Sequence, residues 1–129
     1  MHLTPYSPEA IYQHGLGGSV SSRLRPRSDE LSEGVRIELI AVVRLLEHLG
    51  PGLARPAVDT LKGSKHANMK ELRFRADGGV WRVAFAFDPR RRAILLVGAS
   101  KSGVSSGRFY KTLIKRADAR FDQHLEALK

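Results

Sequence analysis

The sequence has no cysteine. That excludes disulfides, thiolate metal sites and cysteine nucleophiles, and it suits a reducing compartment. It also lacks any long apolar run. The longest, Ala93-Ile94-Leu95-Leu96-Val97-Gly98-Ala99, falls far short of the roughly 18 residues that a membrane span needs. Residues 1–27 lack the apolar middle of a secretory signal. These absences predict a cytoplasmic protein with no membrane partner. The five histidines, His2, His14, His48, His66 and His124, show no paired ligand spacing, so neither a metal nor a cofactor is expected. No Gly-x-Ser-x-Gly elbow is present. Gly98-Ala99-Ser100-Lys101-Ser102 lacks the glycine directly before lysine that a phosphate loop needs, and Gly15-Leu16-Gly17-Gly18 follows no strand. At 129 residues the chain suits one domain with a real core, and it is too short for a barrel enzyme or a complete dinucleotide-binding fold.

What the sequence does have is positive charge, unevenly spread. Lys and Arg number 22 against 13 Asp and Glu, a formal net charge of +9. Residues 1–50 carry 5 basic and 6 acidic side chains, whereas residues 51–129 carry 17 and 7. An excess confined to one part of the chain makes a local field that favours a polyanion, with a merely solvated basic surface as the alternative.

Periodicity gives the organisation. Residues 1–34 read as an irregular, weakly ordered arm, interrupted by Pro5, Pro8, Pro26 and a glycine-rich stretch, with a turn of helix over Pro8–Gln13. Ser28-Asp29-Glu30 is a plausible helix start, and Leu31, Val35, Leu39, Val42, Leu46 and Leu49 form a helical stripe that Gly50-Pro51-Gly52 stops. Gly34 weakens the start, so one helix or a helix pair fits. Residues 51–68 read as a loop. Leu72 and Phe74, then Trp81, Val83, Phe85 and Phe87, alternate with polar or small residues as two strands. A turn at Gly78-Gly79 would pair Phe74 with Val83 and Leu72 with Phe85. Residues 93–98, apolar on both faces, read as an interior third strand. After a loop capped by Ser105 or Ser106, Phe109, Leu113, Ala117, Phe121 and Leu125 mark a final helix. Helix, antiparallel meander and helix make an α+β domain over residues 35–129.

The candidate chemistry lies on the polar sheet face, where Arg73, Arg75 and Arg82 fall together with Glu71. Guanidinium groups donate planar, charge-assisted hydrogen bonds to phosphate and stay protonated, so they can hold an RNA backbone or stabilise a phosphoryl-transfer transition state. Each residue also has a plainer reading. Arg73 and Glu71 can be an ion pair, Arg75 a solvated hairpin-tip residue, Trp81 core and Tyr110 a packing residue. Arg90-Arg91-Arg92 can guard a sheet edge.

These residues also stand in a familiar order. Leu45-Leu46-Glu47-His48-Leu49-Gly50-Pro51 precedes Asp59-Thr60-Leu61-Lys62-Gly63-Ser64-Lys65-His66 and Met69-Lys70-Glu71-Leu72-Arg73. Trp81-Arg82-Val83-Ala84-Phe85-Ala86-Phe87-Asp88-Pro89, Ala93-Ile94-Leu95-Leu96, Lys101 and Arg108-Phe109-Tyr110 follow. Residues 36–129 thereby resemble the RelE/HigB superfamily of type II toxin–antitoxin toxins, in its phage-derived branch. The resemblance implies helices against an antiparallel sheet closed by a C-terminal helix. It implies an mRNA interferase, a ribosome-dependent endoribonuclease that cuts message without a metal and is neutralised by a cognate antitoxin, often of helix-turn-helix type. Arg73 and Arg82 match the family's sheet arginines, which would hold the scissile phosphate. Lys101 and Tyr110 match its distal basic and aromatic positions. Lys62, Lys65, His66, Lys70, Arg75 and Arg90 would contact substrate or ribosomal RNA. Two departures stand out. The strand that usually opens the family's fold has no counterpart read in residues 1–34, leaving a sheet edge open, and Met69 and Glu71 stand where lysines are expected. An inactive toxin-fold protein that binds antitoxin, or a gyrase-poisoning toxin of the same superfamily, are the alternatives.

Overall fold

A computed structural model of the chain describes residues 20–22, 32–101 and 105–129. The expected helical turn at Pro8–Gln13, the helix start at Ser28–Glu30 and part of the loop before the last helix lie outside the described residues. The first helix, α1, runs from Glu33 to Leu49, and the Ser32 hydroxyl caps it by accepting from the Val35 amide at 3.1 Å. Gly34 does not split it. A side chain at Gly34 would meet Asp77 Oδ1 at 2.6 Å, so the glycine lets the hairpin turn approach the first helical turn. Ser32 also donates to Asp77, tying the two together. The helix stops at Gly50–Gly52, as the Gly-Pro-Gly sequence predicts.

Five strands follow the order β1-β5-β4-β3-β2. They are β1 (Val20–Ser22), β2 (Val58–Thr60), β3 (Lys70–Ala76), β4 (Gly79–Phe87) and β5 (Ala93–Ser100), and the helix α2 (Ser106–Ala127) closes the chain. Three strands, β3 to β5, form the expected antiparallel meander, and β2 extends it to four. Two elements differ from the sequence reading. β1 pairs parallel to β5, Val20 opposite Ala93, so the edge expected to be open carries a strand. β2, read as loop, pairs antiparallel with β3, with Asp59 opposite Glu71. Both strands have three residues, too few for an alternation to register.

The β3–β4 hairpin turns at Asp77-Gly78, both with positive φ, rather than at Gly78-Gly79. Phe74 therefore faces Trp81, Leu72 faces Val83 and Arg73 faces Arg82. This register is two residues from the expected one. A two-residue slip preserves which face each side chain takes, so the polar and apolar faces stand as read.

The sheet is covered on both faces. Val35, Leu39, Val43 and Leu46 of α1 pack against Leu72, Phe74, Val83 and Phe85. Phe109, Leu113, Ala117 and Phe121 of α2 pack against Met69, Ala84, Ala86 and Ile94 on the other face. A bulge in β5 leaves Leu96 as an extra residue, which sends Leu96 and Val97 both toward α2. Among the described residues no helix is long and apolar enough to cross a membrane.

Candidate functional site

On the α2 face, β3 and β4 change character along their length. Met69, Ala84 and Ala86 are core, whereas Glu71, Arg73, Arg75 and Arg82 follow toward the hairpin tip. Tyr110, in the second turn of α2, comes over this polar end because Phe109 anchors the helix beside it.

Glu71 is the centre of the cluster. Only 3% of it is exposed. Its Oε1 accepts from the Tyr110 hydroxyl at 2.9 Å and its Oε2 from Arg73 Nη2 at 3.0 Å. Arg82 Nε donates to the Tyr110 oxygen at 2.7 Å and lies 3.8 Å from Glu71 Oε1. The Arg82 guanidinium also sits 5.5 Å from the Phe109 ring centre and 5.7 Å from that of Tyr110, a cation–π arrangement that fixes its plane. Asp59, across from Glu71, adds a weaker contact to Arg73 at 3.7 Å.

The electrostatics follow from this geometry. Burial, then the Glu71 hydrogen bond and charge, push the Tyr110 phenol above its ordinary 10, against an opposing pull from Arg82. Tyr110 therefore keeps its proton at neutral pH. The Glu71 hydrogen bond raises Arg73 above its ordinary value, so it stays charged. Glu71 and Asp59 together balance Arg73 and Arg82, and Arg75 at the hollow and Arg55 beside Asp59 leave the surroundings positive. Arg73 Nε is buried without a hydrogen-bond partner, so this guanidinium is not saturated. Beside it opens a hollow of about 430 Å³, lined by Pro56 and Ala57 on one side and by Arg73, Phe74, Arg75, Val80 and Arg82 on the other.

The expected site residues divide into three groups. Arg73, Arg82 and Tyr110 come into direct contact through Glu71, and Arg75 lines the same hollow. Lys101 lies just past the end of β5, two residues beyond Ala99, the partner of Arg82, and donates to Ser106 Oγ at 2.8 Å. Lys62 is exposed beside Gly63, which rests on Ile114, one turn from Tyr110.

The remaining four are elsewhere. Lys65 and His66 are tied to the second half of α2. Both pair with Asp122, His66 at 2.8 Å, and the His66 ring packs edge-on to Phe121. Asp122 is held below its ordinary carboxylate value by Lys65 first and His66 second. Phe121 is eleven residues past Tyr110, about 16 Å along the helix. Lys70 alternates onto the α1 face of β3, with Leu72 and Phe74, because successive strand side chains take opposite faces. Arg90 lies in the β4–β5 turn beyond Phe87, the end of β4, itself about 17 Å along the strand from Arg82.

The residue whose role the sequence reading passed over is Glu71, noted as an ion-pair partner for Arg73 and as an acid where the family has lysine. Its signal was a lone acid two residues from an arginine, on the same face of a strand in the basic part of the chain. Asp59 was passed over with β2.

Known proteins match this chain across the site. The family model for the phage derived protein Gp49-like (DUF891) matches residues 28–122, which include Glu71, Arg73, Arg82 and Tyr110. The Mycobacterium tuberculosis protein named "Putative toxin HigB2" is 46% identical over 88 residues, covering 67% of this chain and 43% of that protein. "Putative toxin HigB3" of the same organism is 42% identical over 95 residues, covering 74% of this chain and 81% of its own length. The chain thus spans under half of the first relative and most of the second. No solved structure matches it significantly. On the extent of the family match and the identity to HigB3, the chain belongs to the Gp49-like family of phage-derived proteins, among relatives that carry HigB names.

Proposed function

We propose that this chain is the toxin of a type II toxin–antitoxin pair and acts in the cytoplasm as a metal-independent, ribosome-dependent mRNA endoribonuclease, with residues 35–129 as the bulk of the toxin domain and β1 adding an edge strand to its sheet. The observation that carries the reading is the pairing of Arg73 opposite Arg82, with both guanidinium groups gathered around Glu71 and Tyr110 at the edge of a hollow. The HigB names of the relatives support it.

The chemistry asks for little beyond positive charge and proton control. The 2′-hydroxyl of the substrate attacks the adjacent phosphorus and the bond to the 5′-oxygen breaks. A cyclic phosphate and a free 5′-hydroxyl remain. Negative charge builds on the phosphate oxygens along the way, and Arg73 and Arg82 stabilise it with donors that Glu71 leaves free. Glu71 sets the planes of these groups before substrate arrives. Tyr110 stays protonated, donates its one hydroxyl proton to Glu71 and accepts from Arg82, so it links the carboxylate to that guanidinium. Lys101 supplies a further cation from the end of β5. A cognate antitoxin would neutralise the protein, and one of helix-turn-helix type suits the family resemblance.

Inducible expression in a bacterial host, with growth curves and primer-extension mapping of message ends, tests this. Wild type should arrest growth with cuts inside translated codons. Arg82→Ala should lose about 100-fold or more of the cleavage while staying folded. Equal growth of both strains, with folded protein in each, would leave an inactive antitoxin-binding protein. DNA-damage signalling without translation arrest would replace the nuclease with a gyrase poison.

A further inference from the structure

The first half of α2 has a charge pattern that the arginine cluster does not account for. Between Ser106 and Ala117 the helix carries Arg108, Lys111, Lys115 and Arg116 and no acid. All four are exposed. The acids of the helix, Asp118, Asp122 and Glu126, fall in its second half, where Asp118 and Asp122 hold Ser64, Lys65 and His66. The two halves of one helix therefore treat their cations differently. The lysine beside the second half is paired, and those of the first are not. Lys111 and Lys115 make no ion pair or hydrogen bond among the described residues, and neither does Lys62.

Position gives these lysines a direction. Lys111 and Lys115 lie one turn apart, about 6 Å along the helix. Each follows by one residue a member of the Tyr110–Ile114 row, so the lysine row runs beside it on the solvent side. Lys62 joins from the loop, since its neighbour Gly63 packs 3.7 Å from Ile114 when given a side-chain carbon. The three lysines continue the positive surface that starts at Arg75, Arg73 and Arg82 and passes Tyr110. Like charges four residues apart weaken a helix by about 0.2–0.5 kcal/mol. The second half of α2 interleaves acids with its cations, and the first half does not.

We propose that Lys62, Lys111 and Lys115 form a phosphate-holding track that carries RNA backbone away from the arginine hollow, an inference that rests on the nuclease reading. The RNA is either the flank of the cut strand or ribosomal RNA, and both offer the same phosphodiester chemistry. Ammonium groups on flexible stems suit this task because they follow a backbone without reading its sequence.

The test compares the full chain with Lys111→Gln/Lys115→Gln. Binding is followed over a salt series to two probes, a labelled single-stranded 2′-O-methyl RNA and isolated ribosomes. The modified RNA keeps every phosphate and cannot be cut by its own 2′-oxygen. Loss of two phosphate contacts should make the slope of log affinity against log salt shallower by about 1.4. A change seen with the oligonucleotide assigns the track to the substrate flank. A change confined to ribosomes assigns it to ribosomal RNA. An unchanged slope with both probes, where wild type binds, overturns the track and leaves the arginine site standing. Wild type that binds neither probe overturns the nuclease reading itself, and the track with it.

Discussion

Two buried carboxylates sit on the α2 face of this sheet, at opposite ends, and they are built in different ways. Asp88 closes the β4–β5 turn. Its Oδ1 accepts the backbone amides of Arg90 and Arg92, each at 2.9 Å, and its Oδ2 takes Arg92 Nη2 at 3.2 Å and His124 Nε2 at 2.9 Å. The Asp88 side chain is fully buried and His124 is 3% exposed. Glu71 is buried as deeply, yet all its partners are side chains, and one of them, Arg73, is 37% exposed at the hollow. Backbone donors cannot leave without unmaking the turn. Side-chain donors can share themselves with an incoming anion. Both clusters hold an arginine and a ring against a carboxylate, and both arginines are partly exposed, Arg92 at 31% and Arg73 at 37%; only Asp88 also takes backbone amides, and only the Glu71 cluster borders the hollow. Burial and hydrogen-bond number alone would not separate the two clusters. The identity and freedom of the donors do.

The largest effect should come from the closed cluster. Removing Asp88 leaves two amides and two charged or polar side chains without their acceptor. Asp88→Ala should cost about 3–5 kcal/mol in denaturant unfolding. That is a large part of the stability of a domain this size. Asp88→Asn, which keeps an acceptor oxygen for the amides, should cost less. The pH dependence has a definite sign. Burial alone would raise the Asp88 carboxyl, but the His124 and Arg92 hydrogen bonds outweigh it, so the group lies below its ordinary 3.8. Its stabilisation is complete above that value and disappears as pH falls through the folded-state pKa. Acid unfolding of Asp88→Asn should show less dependence on pH in that range. A loss under about 1 kcal/mol for Asp88→Ala would erase the contrast between the two clusters.

Glu71→Gln should show the reverse balance. The amide keeps a hydrogen-bonding group of the same shape but removes the charge that gathers Arg73 and Arg82. Partial exposure of Arg73 limits the stability cost to about 1–2 kcal/mol. On the proposed nuclease reading, RNA cleavage should fall about tenfold or more, mainly in kcat, because guanidinium planes set in advance act on the transition state. Glu71→Asp should restore part of that loss. Cleavage that merely tracks the folded fraction would make Glu71 a second Asp88.

How much of this was legible beforehand follows from what local patterns can carry. The helix stop at Gly50-Pro51-Gly52, a serine cap at Ser105 or Ser106 (the structure uses Ser105, whose hydroxyl accepts from the Arg108 amide) and the alternation of β3 and β4 are local, and the sequence announces them. The face shared by Glu71, Arg73 and Arg82 is also legible, because strand parity survives a two-residue error in register. Three-residue strands are not legible. β1 and β2 exist because a neighbour strand supplies their hydrogen bonds, and no period develops within them. The same limit applies to the site. Tyr110 meets Glu71 only because α2 crosses the sheet there. Lys65 and His66 fail to join them because Asp118 and Asp122 lie farther along the same helix, which holds their loop there. The family resemblance groups Lys70 with the RNA contacts, and strand parity puts it on the α1 face, away from the arginine cluster.

A third carboxylate extends the comparison to the other face. Glu47 lies near the end of α1, and among the described residues neither of its oxygens, both buried, has a hydrogen-bond partner. Burial raises its pKa from 4.5 to about 7, with Arg44 opposing. The native state therefore binds this proton more tightly than the unfolded chain does. Stability falls as pH rises from about 4.5 toward 7 and levels off above, the opposite sign to Asp88. Glu47→Gln carries no charge at any pH and has no such slope. It should match wild type near pH 4.5 and exceed it above pH 7 by on the order of 1 kcal/mol, reduced by partial exposure. Denaturant unfolding of both proteins at about pH 5 and about pH 8 reads this directly. An equal difference at both pH values would mean that Glu47 is solvated or paired in solution. A gain confined to the higher pH would complete an ordered series. A carboxylate held by backbone stabilises the fold, one held by side chains leaves its donors able to turn to an incoming anion, and one without a hydrogen-bond partner among the described residues resists ionisation.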